Sequence, residues 1–482
     1  MTTLRRGLAL ALTLTGAGFV LSYSFAGGLF RGPSGAGAAV SAPESMAVAP
    51  TSQGAGVGAE EAGDLLVKFK PQSGLGQALA NMLVGAEEVG RIDSLGVVKL
   101  KTGPGMTPDT AASFYQGLPI VEYAEPNYRV RAAAAPDDPL YTLRQQGYYS
   151  VIEAPQAWDL QLGSPSIVVA VLDTGVDVDH PDLKDQIWRN PGELPDNGID
   201  DDHNGCVDDV NGCNFVDPED VEPSCDEGDP TPNNQIGDDD GHGTFVAGVI
   251  GAGTDNSLGV AGGGQGVSVM PVRVLDCTGT GTVADVAAGI VYAAKMGASV
   301  INLSFGGEED SSVLRDAVRR AYGDLATVLV APTGNEGTRG VFYPARYSEV
   351  VAVAALELNS ADSRASFSNW GPEVEVAAPG VEIVSTVPPE LCGDRWVCFD
   401  GQPYASGSGS SFASAHVSAL AGLMLSRNPL LAPDELREII SDTAIPLPDG
   451  VTSNWDGAGR IQMMAALQGV PYRIGVAGVN KG

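Results

Sequence analysis

The sequence predicts an α/β protein built on a mostly parallel central sheet with helices on both faces, preceded by a small α+β domain. Three observations predict it. Beyond Asp137, continuous apolar runs of strand length alternate with helix-spaced segments. That is the pattern of strands buried on both faces and joined by crossover helices. Between Asp64 and Arg131 a shorter stretch alternates strand and helix signals and then stops at the Ala- and Pro-rich "AAAAPDDP". Finally, 482 residues with 43% hydrophobic and 18% charged side chains are globular and long enough for two or three domains.

Each element follows in chain order. The N-terminus reads "MTTLRRGLALALTLTGAGFVLSYSFAGG", two arginines before an apolar run from Gly7 to Leu21 and small residues at Ser24–Ala26. This is the pattern of a secretory signal peptide over 1–26, the run being short for a membrane span. The expected location is secreted or extracellular, the cell surface and periplasm being the alternatives. Residues 27–62 are Gly, Ala, Ser and Pro with few large apolar groups, a flexible linker. In the small domain, 63–135, "DLLVKFKP", "GVVKLKTG" and "VEYAEPNYRVR" read as strands, and "LGQALANMLVGA" and "PDTAASFYQGL" as helices. Its end is an exposed joint expected to be cut near 131–137.

The large domain spans 136–470, with a tail at 471–482. Its strands are "SIVVAVLDTG", "VSVMPVRVLD", "ASVINLSFGG", "TVLVAPTGN", "EVVAVAAL" and "VEVAAPG"; helical segments lie near 242–252, 281–296, 311–323, 411–427 and 433–442. Chemistry in such sheets collects at the carboxyl ends of the strands.

The net charge of −33 argues against nucleic acid, which needs clustered Lys and Arg. Seventeen Asp and Glu and no Lys or Arg fall between Glu193 and Asp240, so an acidic insert at 190–240 carries about half of that charge. Hard cations or a salt-rich habitat explain such acidity equally well. Six cysteines without a CxxC pair suit an oxidising compartment and argue against structural zinc. Cys206–Cys213 and Cys392–Cys398 are close enough to be local staples, although free thiols stay possible for all six.

Only four histidines exist, His180, His203, His242 and His416. His242 sits in "DDDGHGTFVAGVIGAG", where flanking glycines let backbone and substrate come close. Asp173 ends an apolar strand, where an unpartnered carboxylate is costly and an imidazole N–H is the obvious partner. "SGSGSSFASAHVSALAGLM" (406–424) brings a cluster of serines to a helix start. Singly, these are also ordinary turn, cap and helix-start residues. Together, Asp, His and Ser stand at strand ends and helix starts of one α/β domain.

"VVAVLDTGVDVDHPDL", "DDDGHGTFVAGVIG" and "SGSGSSFASAHVSALAGLM" resemble the three active-site motifs of the subtilisin-like serine proteases, over roughly residues 137–468, and the preceding unit resembles the family's inhibitory propeptide. The family pattern Gly-Thr-Ser-Met-Ala-Ser-Pro-His appears as Gly409-Ser410-Ser411-Phe412-Ala413-Ser414-Ala415-His416. The resemblance implies Ser411 as nucleophile, His242 as base and Asp173 as its orienting acid. It also implies Asn335 of "VLVAPTGNEG" and the Ser411 N–H as oxyanion donors. "NLSFGG", with Leu303, Ser304, Phe305 and Gly306, would be an edge strand pairing with substrate backbone. Pro332, Thr333 and Gly334 would form one wall of the specificity pocket. The expected activity is that of a serine endopeptidase made as a self-processing precursor. Its partners would be protein or peptide substrates and its own propeptide. No nucleic acid, no membrane after signal removal and a monomeric state are expected. A triad esterase or acyltransferase, or an inactive calcium-dependent binding protein on the same scaffold, are the alternatives; all four catalytic positions hold the expected residues, which disfavours the last.

"DDDHNGCVDDVNG" starts like an EF-hand calcium loop, with Asp200, Asp202, Asn204, the Cys206 carbonyl and Asp208 at alternating positions. Asn211 stands where a bidentate Glu closes such loops, and Asp209 is the expected substitute. By resemblance alone, a second calcium site would use Asp182, the Asn256 side chain and the carbonyls of Thr254, Leu258 and Val260, with its N-terminal ligand unidentified. No organic cofactor is expected.

Overall fold

A computed structural model describes residues 20–22, 64–71, 74–103, 108–127, 135–218, 225, 232–357, 363–447 and 457–471. The expected signal peptide (except strand β1, Val20–Ser22), the linker, most of the cleavage joint and the tail after Pro471 lie outside the described residues. Two compact units are present, the larger one taking up the chain at Ala135.

The small unit runs β2 (Asp64–Phe69), α1 (Gly74–Leu83), β3 (Glu87–Ile92), β4 (Val97–Lys101), α2 (Pro108–Gln116) and β5 (Val121–Pro126). Its antiparallel sheet has the order β3-β4-β2-β5. The alternation in "DLLVKF" buries Leu65 and Val67 beside Leu100, Ala111 and Tyr115. Strand β3, "EEVGRI", is absent from the sequence reading because it is an almost wholly exposed edge with no apolar alternation. Charged side chains on such an edge discourage pairing with other chains.

The large unit opens with α3 (Gln146–Val151) and α4 (Ala154–Trp158), then enters an eight-stranded sheet. Its strands are β6 (Val168–Asp173), β7 (Cys213–Asn214), β8 (Ser268–Arg273), β10 (Val300–Leu303), β11 (Val328–Pro332), β12 (Val350–Glu357), β13 (Ser363–Arg364) and β14 (Val376–Pro379). The order is β13-β12-β11-β10-β6-β8-β7, with β14 also on β12. Only the β12–β13 pair is antiparallel. Period-2 geometry divides the central strand between two cores. Val169 and Val171 face one core, under α5 (His242–Gly251) and α8 (Ser410–Arg427). Val168, Ala170 and Leu172 face the other, under α6 (Val283–Lys295) and α7 (Ser312–Arg319). Two short ladders complete the described sheets: β15 (Ile383–Thr386) with β16 (Tyr404–Gly407), and β1 with β9 (Thr280–Thr282), both antiparallel. Helices α9 (Pro433–Thr443) and α10 (Met463–Gly469) close the unit.

One expectation is corrected here. The strand containing Leu303 is not an edge: β10 lies between β11 and β6, its backbone bonded on both sides. Only the tail from Ser304 onward leaves the ladder. Three disulfides join Cys206–Cys213, Cys225–Cys277 and Cys392–Cys398, so both local staples form and no described cysteine is free.

Candidate active site

Asp173 is the last residue of β6, where the apolar run ends at the carboxyl edge of the sheet. His242 opens α5, and both side chains are fully buried. The His242 Nδ1 lies 2.7 Å from Asp173 Oδ1, which also accepts the Thr174 N–H at 2.8 Å. A carboxylate on Nδ1 holds that nitrogen protonated and leaves Nε2 as the basic edge. The helix start comes this close because Gly243 has no side chain: a Cβ there would lie 2.0 Å from the Gly175 carbonyl oxygen.

The buried Asp238 caps the start of α5. It accepts from Gly241 N (2.8 Å), Thr244 N (2.8 Å) and Thr174 Oγ1 (2.8 Å), tying the helix start to the loop after β6. Asp240 pairs with Arg395 nearby. Burial alone would pull the His242 imidazole down, but Asp173 first, then Asp240 and Asp238, outweigh it and hold the ring above its ordinary 6.5. Burial pushes Asp240 itself up to about 6. Asp238 and Asp240 carry no motif of their own, and the acidic run "DDDGH" before His242 is their only signal in the sequence.

Ser411 is the second residue of α8 and is 3% exposed. Its Oγ donates to the Ser304 carbonyl at 2.9 Å. The adjacent Phe412 ring packs 4.2 Å from Phe245 and 5.7 Å from His242, centroid to centroid, so the start of α8 lies against the start of α5. The first amides of α8 have no partners within the helix. One is met by Asn335, whose Oδ1 accepts from both Ser410 N and Ser410 Oγ at 2.8 Å. With that oxygen pinned, the amide Nδ2 occupies the opposite corner of the group. Ser410 Oγ lies 3.1 Å from Gly334 O as well, so its single hydrogen is shared between the two acceptors. Its hydroxyl is therefore the bracket for Asn335, a role invisible in the motif.

The residues expected to line the substrate cleft divide. Ser304 and Gly334 stand beside the start of α8, and Gly306 lies against Phe342 and Tyr343. Leu303 and Phe305 are buried in the core and Pro332 ends β11, so their side chains belong to the packing. Thr333 is buried and donates to Asn369 O at 2.9 Å.

The residues expected to hold calcium divide by the partners they already have. Asp200 accepts from Asn204 N (3.0 Å) and Gly205 N (2.9 Å), and Asp202 accepts from Asn204 N (3.0 Å). Asp208, however, turns to Asn197 N (3.0 Å) and Gly198 N (2.9 Å). Asp209 turns to Asn190, Tyr292 and Asn204, which engages the Asn204 side chain as well. Cys206 is joined to Cys213 through Sγ and donates its N–H to Asn204 Oδ1 at 2.8 Å; its carbonyl, the expected ligand, is engaged by neither bond. Beside Asp200 and Asp202 stands Glu193, with one carboxylate oxygen of each of the three lying within 4.8 Å of the others. Glu193 is 7% exposed, and its Oε2 meets no donor among the described residues. It precedes the loop, outside the pattern an EF-hand comparison scans.

At the second location Asp182 accepts from Asn256 Nδ2 (2.7 Å) and Val260 N (3.0 Å), and Asn256 Oδ1 from Leu258 N (2.8 Å). The loop from Thr254 to Val260 thus folds around Asp182. Next to that loop lies Asp138: buried, with Oδ2 on Asp255 N at 3.1 Å, Oδ1 meeting no donor among the described residues, and its carboxylate within 4.8 Å of those of Asp137 and Asp255. Burial and the nearby Asp182 charge push it up to about 6.

Residues 164–468 match the family described as the Subtilase family, and residues 56–127 match the Fervidolysin N-terminal prodomain. A thermophilic serine proteinase of Bacillus sp. (strain AK1) is 37% identical, over 80% of this chain and 83% of its own length. Thermitase of Thermoactinomyces vulgaris is 38% identical, over 69% of this chain and 99% of its own. Among solved structures, fervidolysin from Fervidobacterium pennivorans, described as a keratinolytic enzyme related to subtilisin, matches with a TM-score of 0.56 and 27% identity. That match covers 85% of this chain and 61% of fervidolysin.

Proposed function

The chain belongs to the subtilase family, and on that premise we propose that Asp173, His242 and Ser411 carry its serine endopeptidase chemistry. It is a subtilisin-like protease with an N-terminal prodomain, and the matches favour neither the esterase nor the inactive scaffold. The observation that supports the residue roles best is the buried 2.7 Å pair of His242 Nδ1 and Asp173, set beside the helix start that bears Ser411.

In this reading the Ser411 hydroxyl leaves the Ser304 carbonyl and passes its proton to His242 Nε2 as Oγ bonds to the substrate carbonyl carbon. The carbonyl electron pair moves onto oxygen, where the Ser411 N–H and Asn335 Nδ2 donate to it. Collapse expels the amine, which takes the proton from Nε2. Water then enters by the same route, giving its proton to His242 as it attacks the acyl carbon, and His242 returns that proton to Ser411 Oγ as the acyl bond breaks. Asp173 stabilises the transient imidazolium without being protonated. Strand β9 offers an edge for an extended peptide, as its antiparallel pairing with Val20–Ser22 illustrates.

Residues 63–135 act as propeptide and intramolecular inhibitor, and 136–470 as the catalytic domain. The signal-like start supports export. Calcium fits both acidic sites, since hard oxygens dominate them and each holds a buried carboxylate oxygen without a donor, Asp138 Oδ1 and Glu193 Oε2. Bound there, calcium neutralises crowded carboxylates and takes no part in the reaction.

The test is Ser411→Ala. The variant should accumulate as uncut precursor and resist fluorophosphonate labelling, while wild type matures, labels and digests casein. Maturation of the purified variant would refute the assignment.

A further inference from the structure

We propose that Phe342 forms the floor of the pocket beside Ser411 and that the enzyme therefore cleaves after small side chains, alanine foremost. This rests on Ser411 being the nucleophile. Two chain segments flank the start of α8: Ser304–Gly307, joined to it through Ser411 Oγ on Ser304 O, and Thr333–Asn335, joined through Ser410 Oγ on Gly334 O. The gap between them opens next to the Ser411 hydroxyl, where the side chain preceding the scissile bond must go.

A third segment crosses that gap. Tyr343 and Gly307 exchange backbone hydrogen bonds (2.8 and 2.9 Å) on one side, and Phe342 N donates to Thr333 O at 3.1 Å on the other. Phe342 is thereby pinned between the two walls. Both walls are glycine where they face it. A Cβ added at Gly306 would lie 3.0 Å from Phe342 Cβ, and one added at Gly334 would lie 3.0 Å from its Cδ2. Gly334 also has φ +111, which strains any side chain. The space that these glycines leave is already taken by the Phe342 side chain, which is only partly buried and so is not sealed into the core. A second aromatic or long side chain would have to displace it; a methyl group would not.

The sequence itself supplies an independent indication. The joint a self-processing enzyme must cut, at 131–137, presents Ala132–Ala135 in succession.

The test uses the full chain allowed to mature, with peptide p-nitroanilides differing only in the residue before the scissile bond: Ala, Leu, Phe or Lys. Wild type should favour Ala over Phe in kcat/KM by about 10-fold or more, the scale on which a pocket discriminates by size. Phe342→Gly, or Phe342→Ala if glycine destabilises the loop, should shift the Phe-to-Ala ratio upward by about 10-fold or more. Mass spectrometry of the mature wild-type N-terminus should show cleavage after one of Ala132–Ala135. Phe preferred to Ala by wild type, an unchanged ratio in the variants, or cleavage after Arg131 would each overturn the role of Phe342 while leaving the nucleophile intact. A wild-type protein that hydrolyses none of the series and resists fluorophosphonate would overturn the nucleophile and this inference with it.

Discussion

Removing the Ser410 hydroxyl tests how Asn335, the proposed oxyanion donor, is held. Asn335 Oδ1 accepts two hydrogen bonds, from Ser410 N and Ser410 Oγ, each 2.8 Å. Ser410→Ala deletes one of them and keeps the backbone bond. A buried neutral hydrogen bond has a net value of about 1 kcal/mol. Loss of the corresponding asparagine donor in subtilisin costs about 2.7–4 kcal/mol of transition-state stabilisation. Ser410→Ala should therefore lower kcat roughly 5-fold, equivalent to about 1 kcal/mol, with KM nearly unchanged because the donor acts on the tetrahedral oxygen. Steady-state kinetics on one peptide substrate for wild type, Ser410→Ala, Asn335→Ala and the double variant complete a cycle. With Asn335 absent, Ser410→Ala should cost almost nothing in kcat, a coupling of about 1 kcal/mol. Stability should behave differently: the bond to Gly334 O at 3.1 Å is lost in both backgrounds, so Tm should fall in both. Equal kcat losses with and without Asn335, or a loss appearing in KM alone, would refute the bracket.

Three further outcomes are expected. His242 acts as a base only when deprotonated, and its raised pKa delays that to higher pH. Asp240→Asn removes one carboxylate that raises it, leaving Asp173 and Asp238 facing the ring and freeing Arg395. The acid limb of kcat/KM, followed between about pH 5 and 8, should move to lower pH; movement upward would contradict the electrostatics. Calcium at a hundredfold its Kd adds about 2.7 kcal/mol of stability, so excess chelator should lower Tm by several degrees, and by less in Asp138→Asn. Unchanged melting would exclude bound calcium. Replacing Cys225 and Cys277 by Ser opens a loop of 52 residues, against 6 for the Cys392–Cys398 pair. Loop-closure entropy ranks the losses at roughly 4 and 2 kcal/mol, and calorimetry showing the short loop to matter more would contradict that ranking.

The alternating apolar runs were enough to read six of the strands, because a strand buried on both faces must be apolar at nearly every position, as Val168–Leu172 is. Asp173 and His242 were equally visible, since a carboxylate ending such a run and a glycine-flanked imidazole at a helix start are local signals. The exposed edge strand Glu87–Ile92 was not, having no burial to impose a pattern. What stayed hidden are meetings between segments remote in the chain. Asp138 reaches Asp255 across 117 residues, Glu193 joins a loop whose motif begins after it, and Cys225 finds Cys277. Ser410 was legible as a hydroxyl but not as the bracket of Asn335, 75 residues away. Phe342 carried no signal at all, because its effect comes from two glycines that leave room on either side of it. Periodicity and local chemistry are written along the chain. Which carboxylates gather beside a loop, and which ring fills the space between two glycines, depend on the packing of the whole unit, where backbone hydrogen bonds and close glycine contacts bring distant loops within a few ångströms of one another.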